Sequence, residues 1–490
     1  MGNTNTFEKI KTLGALKNNG YKARSIKDEI RENLIKKLGT AKNSYRGIIG
    51  YEHTVMPDIE RALLSQHNIL LLGLRGQAKT RIARLTTELL DEYIPVIEGS
   101  ELNDDPLNPI SSASLDLIEK MGNDTPIAWV HKSDRYVEKL ATPDVSIADL
   151  IGDVDPIKAA SLKLPYSDPR VIHYGLIPRS HRSIFVLNEL PDLQARIQVS
   201  LFNILQEGDI QIRGFKLRLP LDILFIFTAN PEDYTNRGSI ITPLKDRIES
   251  QILTHYPETI PVAREITEQE VRITDERKST IEIAELLRDL LEMIVFEARE
   301  SELVDEKSGV SARMSITALE NLYSTAERRM LVNGEKKAMA RVSDFWGIIP
   351  SITGKVELVY EGEQEGPHNV ALHLMSGALT KLFLEYFPHP ESSIDENEKD
   401  VYGTLRAWFG AGNAIEITND CSEKEYVAQL DSVPGLRKIV ESRNIDKKYQ
   451  PLFMEFLLHG LTEFEVISKE YMDNYLSFRD PLADMFNDLS

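Results

Sequence analysis

Short apolar runs and longer amphipathic segments alternate along the chain from about residue 48. This alternation is typical of parallel strands that are connected by helices. Three of the runs are almost continuously apolar, as strands buried on both faces require. These predicted strands are Asn68–Leu72, Ser183–Leu187 and Asp222–Thr228. The pattern therefore predicts an α/β fold with a parallel sheet core and helices on both faces.

The second half of the chain carries mainly helical patterns. Apolar residues recur at helical spacing from Ile283 to Ile294, and a second helix is predicted over Ser315–Leu331. The acidic, polar segment 391–400 is predicted to be a linker or long loop. We therefore predict an N-terminal helical lead-in over residues 1–45, an α/β core over 46–258, an all-helical domain over 259–335 and a mostly helical C-terminal extension of unknown role over 336–490.

The composition narrows the class of protein. Acidic residues number 77 and basic residues 57, which gives a formal net charge of −20. This charge disfavours general nucleic-acid binding, which needs a basic surface. The single cysteine, Cys421, cannot form an internal disulfide. No uncharged apolar run reaches the roughly 18 residues of a membrane span, so we expect a cytoplasmic protein without membrane insertion.

The strongest chemical signal follows the first predicted strand, in the run Gly73-Leu-Arg-Gly-Gln-Ala-Lys-Thr80. It matches the phosphate-binding pattern GxxxxGK[ST], except that Ala78 replaces the second glycine. Glycines let backbone N–H groups point at phosphate. Lys79 would reach the β- and γ-phosphates, and the Thr80 hydroxyl would bind Mg²⁺. The predicted phosphate-binding residues are Gly73, Leu74, Arg75, Gly76, Gln77, Ala78, Lys79 and Thr80.

Polar residues follow the other two predicted strands. The second strand ends in Asn188-Glu189, whereas a Walker-B strand ends in Asp-Glu, with the Asp orienting Mg²⁺ and the Glu polarising the attacking water. Asn188 can bind a magnesium-bound water but lacks the negative charge. Glu189 keeps the position of the base. Asn230 follows the third strand and could hold the attacking water.

Two arginines are candidates for stabilising the transferred phosphate. Arg247 follows Pro243-Leu-Lys-Asp246 and would reach the γ-phosphate of a neighbouring subunit. Arg313 opens a predicted helix, where the dipole disfavours a cation, so that an anion would compensate. An ion pair near Asp246 and a solvated surface arginine are the respective alternatives. The predicted catalytic residues are Glu189, Asn230, Arg247 and Arg313, and the predicted metal-binding residues are Thr80 and Asn188.

Together these residues resemble AAA+ ATPases of the MoxR and magnesium-chelatase branch. The Gly76-Gln-Ala-Lys79-Thr80 variant is similar to the P-loop of that branch. Residues 47–52, 175–182 and 207–218 resemble its segment near adenine, its segment before the Walker-B strand and its β-hairpin. The resemblance covers about residues 45–335 and implies an AAA+ core followed by a helical lid. It also implies Glu189 as catalytic glutamate, Asn230 as sensor 1, Arg247 as the finger in trans and Arg313 as sensor 2.

The function implied by the resemblance is ATP hydrolysis with Mg²⁺. Subunits would form a ring, with a hexamer as the expected size, and turnover would remodel a partner protein, in this branch often one with a von Willebrand A-type domain. One alternative is an ATP-binding scaffold with little hydrolysis, because Asn188 replaces the expected Asp. Another is the motor subunit of a magnesium chelatase. The net charge and the lack of a helix-turn-helix signal disfavour a DNA-remodelling protein.

Overall fold

A computed structural model describes residues 10–40, 45–165, 168–208, 210, 219–231, 238–391, 400–471 and 475–481. The chain divides into two compact units between His255 and Tyr256. In the described ranges, no helix combines the length and the apolar character that crossing a membrane requires. Most of the predicted linker (391–400) and of the predicted hairpin (207–218) lies outside the described residues.

The first unit alternates strands and helices along most of its length. Its strands are β1 (Ile69–Leu72), β2 (Tyr93–Ile97), β3 (Ile127–His131), β4 (Tyr136–Leu140), β5 (Gly152–Val154), β6 (Ile172–Tyr174), β7 (Ser183–Asn188), β8 (Ile223–Ala229) and β9 (Ser250–Leu253). Its α-helices are α1 (Leu13–Asn18), α2 (Ile26–Gly39), α3 (Val55–Leu64), α4 (Lys79–Leu85), α5 (Ser112–Met121), α6 (Ile147–Leu150), α7 (Pro156–Leu162), α8 (Leu176–Arg179), α9 (Ala195–Glu207) and α10 (Thr242–Lys245).

Five of these strands form a parallel sheet in the order β4-β7-β8-β1-β9. Successive residues of β1 pack into different cores, Leu70 and Leu72 into one and Ile69 and Leu71 into the other. The sheet is thus buried on both faces, which explains why its central strands are continuously apolar. The α/β fold with a parallel sheet core is confirmed, and β1, β7 and β8 lie where the three apolar runs predicted strands.

The order of the strands creates a crevice at one edge of the sheet. From β1 the chain passes to β4 at the far edge, whereas from the neighbouring strand β8 it passes to β9 on the opposite side of β1. Where two adjacent parallel strands send their connections in opposite directions, ligands bind beyond the carboxyl ends of those strands. Gly73 follows β1 at this point, and Asn230 follows β8.

The N-terminal segment is attached to the first unit through helix α2. Ile26, Ile30 and Leu34 of α2 belong to the same core as β1. Glu29 of α2 makes two hydrogen bonds of 2.7 Å with the guanidinium of Arg135, which directly precedes β4. Both side chains are almost completely buried. This bidentate ion pair therefore fixes the start of β4.

The second unit is mainly helical. Its α-helices are α11 (Ile260–Glu270), α12 (Asp275–Thr280), α13 (Glu285–Glu300), α14 (Arg313–Val332), α15 (Ile349–Thr353), α16 (Tyr360–Glu365), α17 (Pro367–Tyr386), α18 (Gly403–Gly410), α19 (Glu423–Asp431), α20 (Leu436–Glu441) and α21 (Gln450–Glu463). Its strands are β10 (Ile281–Glu282), β11 (Ala338–Met339), β12 (Ile415–Thr418), β13 (Ser468–Tyr471) and β14 (Tyr475–Arg479).

One hydrophobic core runs through the second unit, from Ile273 to Phe478. A buried ion pair between Arg329 and Asp344, 2.9 Å long, spans the predicted boundary at residue 335. Strands β12, β14 and β13 form an antiparallel sheet that the helical patterns did not predict. The parts predicted to lie on either side of residue 335 therefore share one core. A domain boundary at residue 335 stays a prediction.

The Glu29–Arg135 pair gives a test of how the sheet is anchored. We predict that Glu29→Gln lowers the free energy of unfolding by about 3 kcal/mol, because it leaves the Arg135 charge buried without its counter-ion. Urea unfolding followed by the fluorescence of Trp129 measures this value once Trp346 and Trp408, the other two tryptophans, are replaced by Phe. The control is Glu32→Gln, which removes a more exposed pair with Arg24 and should cost less than about 1 kcal/mol. Equal losses in the two variants would contradict the anchoring role.

Candidate functional site

The segment from Gly73 to Thr80, here called the Gly73–Thr80 loop, connects β1 to α4. The N–H of Gly73 donates to the carbonyl of Ala229 at the end of β8 over 3.2 Å. A Cβ atom at residue 73 would lie 2.0 Å from Thr254 Oγ1 and 2.2 Å from Gln77 Oε1. A larger residue would have to displace the side chains of Thr254 and Gln77, so close packing favours glycine at this position.

The far side of the loop is braced by side chains from neighbouring segments. Gln77 Oε1 accepts a hydrogen bond of 2.7 Å from Thr254 Oγ1, just beyond β9. The Tyr51 hydroxyl lies 3.1 Å from the carbonyl oxygen of Gln77 and 2.6 Å from that of His255. The loop is thus tied to two segments of the first unit, which holds its backbone in one conformation.

Ala78 occupies the position where the motif usually has glycine. Its φ of 56° and ψ of 14° lie in the left-handed region, which is strained for a residue with a Cβ atom. The backbone therefore takes a turn that glycine would adopt without strain, although the sequence has alanine. Alanine at this position therefore carries backbone strain that glycine would not.

Lys79 links the loop to the ends of two other strands. Its ammonium group donates to the carbonyl oxygens of Gly73 and Leu74, the latter over 2.9 Å, and to Asn230 Oδ1 over 2.6 Å. Asn230 Nδ2 in turn donates to Glu189 Oε2 over 3.0 Å. Lys79 and Asn230 are both buried. Three residues that the sequence placed after three separate strands therefore form one hydrogen-bonded chain.

Thr80 and Asn188 lie side by side at the same edge. Thr80 Oγ1 donates to Asn188 Oδ1 over 3.4 Å, and Thr228 Oγ1 donates to the same oxygen over 3.0 Å. Asn188 Nδ2 donates to Glu138 Oε1 over 2.7 Å. Oxygen atoms are the ligands that Mg²⁺ takes, so the donor set fits the predicted metal. In the described parts of the chain, no three His, Cys, Asp or Glu side chains group in a way that could hold an ion.

The two predicted arginines lie in different units. Arg247 follows α10 in the first unit, forms an ion pair with Asp246, and has its guanidinium carbon 4.9 Å from the centre of the Phe202 ring. The alternative that placed an ion pair near Asp246 is thus observed in the isolated chain. Arg313 is exposed at the first residue of α14 in the second unit. The roles of both arginines stay predictions.

Glu138 and Thr228 are the site residues that the sequence analysis missed. Thr228 lies within a predicted strand, and its hydroxyl also accepts a hydrogen bond of 3.2 Å from the N–H of Glu189. Glu138 lies on β4, whose partly exposed residues gave no apolar run. The contact of Glu138 with Asn188 depends on the register between β4 and β7, which an apolar pattern does not encode.

No protein-family model matches the chain. Among solved structures, NtrX from Brucella abortus is 15% identical over 71% of this chain and 66% of NtrX, with a TM-score of 0.39. The structure of NtrX in complex with ADP is 14% identical over 77% of this chain and 73% of NtrX, with a TM-score of 0.38. A chain from a complex of the magnesium chelatase subunits BchI and BchD is 19% identical over 65% of this chain and 97% of its own length, with a TM-score of 0.34. At these low TM-scores the similarities carry no argument about what this chain does.

The conformation of Ala78 leads to a prediction about stability. Ala78→Gly should raise the free energy of unfolding by about 1 kcal/mol, because relief of left-handed strain exceeds the added entropy of the unfolded chain. Ala160→Gly is the matched control, since Ala160 is exposed within α7 and its replacement should lower stability by about 0.5–1 kcal/mol. Urea unfolding followed by Trp129 fluorescence measures both. Destabilisation by both substitutions would contradict a strained loop.

Proposed function

We propose that this chain is a P-loop ATPase of the AAA+ type, which binds ATP with Mg²⁺ and hydrolyses it. The observation that carries the proposal is a series of hydrogen bonds beside the Gly73–Thr80 loop, from Lys79 to Asn230 and from Asn230 to Glu189. It joins a phosphate-binding lysine, a polar residue able to hold water and a carboxylate able to act as base. These are the groups that phosphoryl transfer to water requires.

Lys79 would be the main charge contact of the nucleotide. Its ammonium group donates to the carbonyl oxygens of Gly73 and Leu74 and to Asn230 Oδ1. A phosphate oxygen would replace one of the backbone carbonyls, and the neutral acceptor would give way to a charged one, which makes the stronger hydrogen bond. The loop would thereby exchange an internal contact for a stronger contact with the ligand.

Glu189 would act as the general base. The residue has a left-handed backbone with φ of 55°, and Asn230 holds its carboxylate at the carboxyl edge of the sheet. Asn230 would hold the Glu189 carboxylate and the attacking water next to each other. Thr80 and Asn188 would contribute oxygen ligands to Mg²⁺ or to its bound waters, and the ion would neutralise charge on the β- and γ-phosphates.

Asn188 supports a second candidate function. Its neutral amide stands where a carboxylate usually orients magnesium. The missing negative charge would weaken hydrolysis more than nucleotide binding. The chain would then be a scaffold ordered by ATP, with little turnover. Mg²⁺-dependent phosphate release that is lost in Glu189→Gln excludes this candidate.

Assembly into a ring that remodels a partner protein is a further part of the proposal. Arg247 would act on the nucleotide of a neighbouring subunit only after leaving Asp246. The side chain of Asp246 is 71% exposed, so breaking this pair costs no more than about 1 kcal/mol. The role of Arg313 as sensor 2 rests on the resemblance of the sequence. A von Willebrand A-type partner and a role as a magnesium chelatase motor rest on the resemblance of the sequence.

Removing the Lys79 ammonium tests nucleotide binding. We predict that Lys79→Ala weakens ATP binding about 10- to 100-fold, because charge-assisted hydrogen bonds to phosphate are lost. Titration of full-length protein with a fluorescent ATP analogue measures the affinity. Arg81→Ala is the control, because residue 81 is outside the motif although it lies on the same helix. Normal ATP binding by Lys79→Ala would overturn the P-loop interpretation.

Removing the Glu189 charge tests catalysis separately from binding. We predict that Glu189→Gln lowers the rate of phosphate release about 10²- to 10⁴-fold, the usual contribution of a general base. ATP affinity should stay within a few-fold of the wild type, because Gln keeps the volume and can still accept from Asn230. The measurement compares phosphate release and ATP titration on the same preparations. Unchanged turnover would remove Glu189 from the catalytic set.

A further inference from the structure

Asn188 contributes no negative charge at the proposed magnesium position. The side chain is buried at the end of β7, and its oxygen faces the hydroxyls of Thr80 and Thr228. Both hydroxyls and the amide are neutral. A divalent cation with its nucleotide would therefore meet no negative charge from these three residues, although Mg²⁺ sites of this kind normally include a carboxylate.

A carboxylate reaches Asn188 from the adjacent strand. Strands β4 and β7 are parallel, and their register places Leu140 opposite Asn188. Glu138 precedes Leu140 by two residues, so it points to the same face of the sheet. Its Oε1 atom lies 2.7 Å from Asn188 Nδ2, which is a short hydrogen bond. Glu138 therefore contacts Asn188 through the register of the strands.

The orientation of the Asn188 amide follows from its partners. A carboxylate accepts hydrogen bonds only, so the NH₂ group must face Glu138 and the oxygen must face the two hydroxyls. Hydrogen bonding of the NH₂ group to a carboxylate shifts electron density onto the amide oxygen. The same arrangement of a charged partner behind a neutral ligand tunes histidine ligands of metals.

Glu138 is itself held in place. Its Oε2 atom accepts from the Tyr136 hydroxyl over 2.9 Å and from the Arg84 guanidinium over 3.0 Å. Burial, followed by the hydrogen bond to Glu138, raises the pKa of Tyr136, which therefore stays a donor. The Arg84 side chain is 65% exposed, so solvent screens its ion pair with Glu138. The Asn188 contact is partly buried, whereas the contacts of Glu138 with Tyr136 and Arg84 are exposed.

We propose that Glu138 and Asn188 together replace the missing aspartate. Glu138 is a positioning residue: it holds the Asn188 oxygen toward Thr80 and supplies the negative charge that favours Mg²⁺ bound with the nucleotide. The proposal rests on the ATPase function proposed above. It differs from a purely structural role for Glu138, which would support β4 without affecting the metal.

The test measures the contribution of Mg²⁺ to nucleotide affinity. Full-length protein is titrated with a fluorescent ADP analogue, once with MgCl₂ and once with EDTA, and the ratio of the two affinities isolates the effect of the metal without turnover. For Glu138→Gln the ratio should fall about 10-fold, within the range found when partners of metal ligands are removed. The affinity in EDTA should not change. Equal losses in Mg²⁺ and in EDTA, or no loss at all, overturn the proposal.

Two further variants separate charge from structure. Arg84→Gln removes the ion pair with Glu138 and keeps the contact with Asn188, so the ratio should stay at the wild-type value. In an Asn188→Asp background, Glu138→Gln should cause no loss, because the introduced carboxylate would carry the charge directly and no longer face a second carboxylate. A 10-fold fall in Arg84→Gln, or the same fall from Glu138→Gln in both backgrounds, contradicts the proposal. Wild-type protein that binds no nucleotide overturns the ATPase function instead.

Discussion

The site depends on one constraint, a parallel sheet whose central strands are buried on both faces. Such strands are apolar along most of their length, so most polar residues lie near the strand ends. Because β1, β7 and β8 are parallel neighbours in one sheet, their carboxyl ends meet at one edge. Lys79, Glu189 and Asn230 are distant in sequence and are brought into hydrogen-bond contact there. The chemistry of the site is therefore a consequence of how the sheet is buried.

The same constraint explains which features could be predicted from the sequence. A strand buried on both faces is an almost continuous apolar run, so β1, β7 and β8 could be predicted. The residues directly after these strands could then be predicted as site residues. Helix α14 was predicted to within two residues at each end because its apolar spacing is regular. Local patterns were sufficient for strands buried along their whole length and for a helix with regular apolar spacing.

Other features depend on contacts that local patterns do not encode. Strand β4 lies at the edge of the sheet with partly exposed residues, so the run Tyr136–Leu140 has no buried-strand pattern, and the contact of Glu138 with Asn188 depends on the register between two strands. The antiparallel sheet of β12, β14 and β13 consists of short strands among helices. The left-handed conformation of Ala78 follows from the contacts that brace the loop, since alanine itself disfavours it.

A structure of full-length Glu189→Gln determined with Mg²⁺ and ATP, in which slow turnover would preserve the nucleotide, tests the proposed site. The site predicts the β- and γ-phosphates within the Gly73–Thr80 loop and the Lys79 ammonium in contact with a phosphate oxygen. It also predicts Mg²⁺ beside Thr80, with Asn188 still hydrogen-bonded to Glu138. Nucleotide bound away from this loop, or a nucleotide-bound structure in which the Lys79 ammonium contacts no phosphate oxygen, would contradict it.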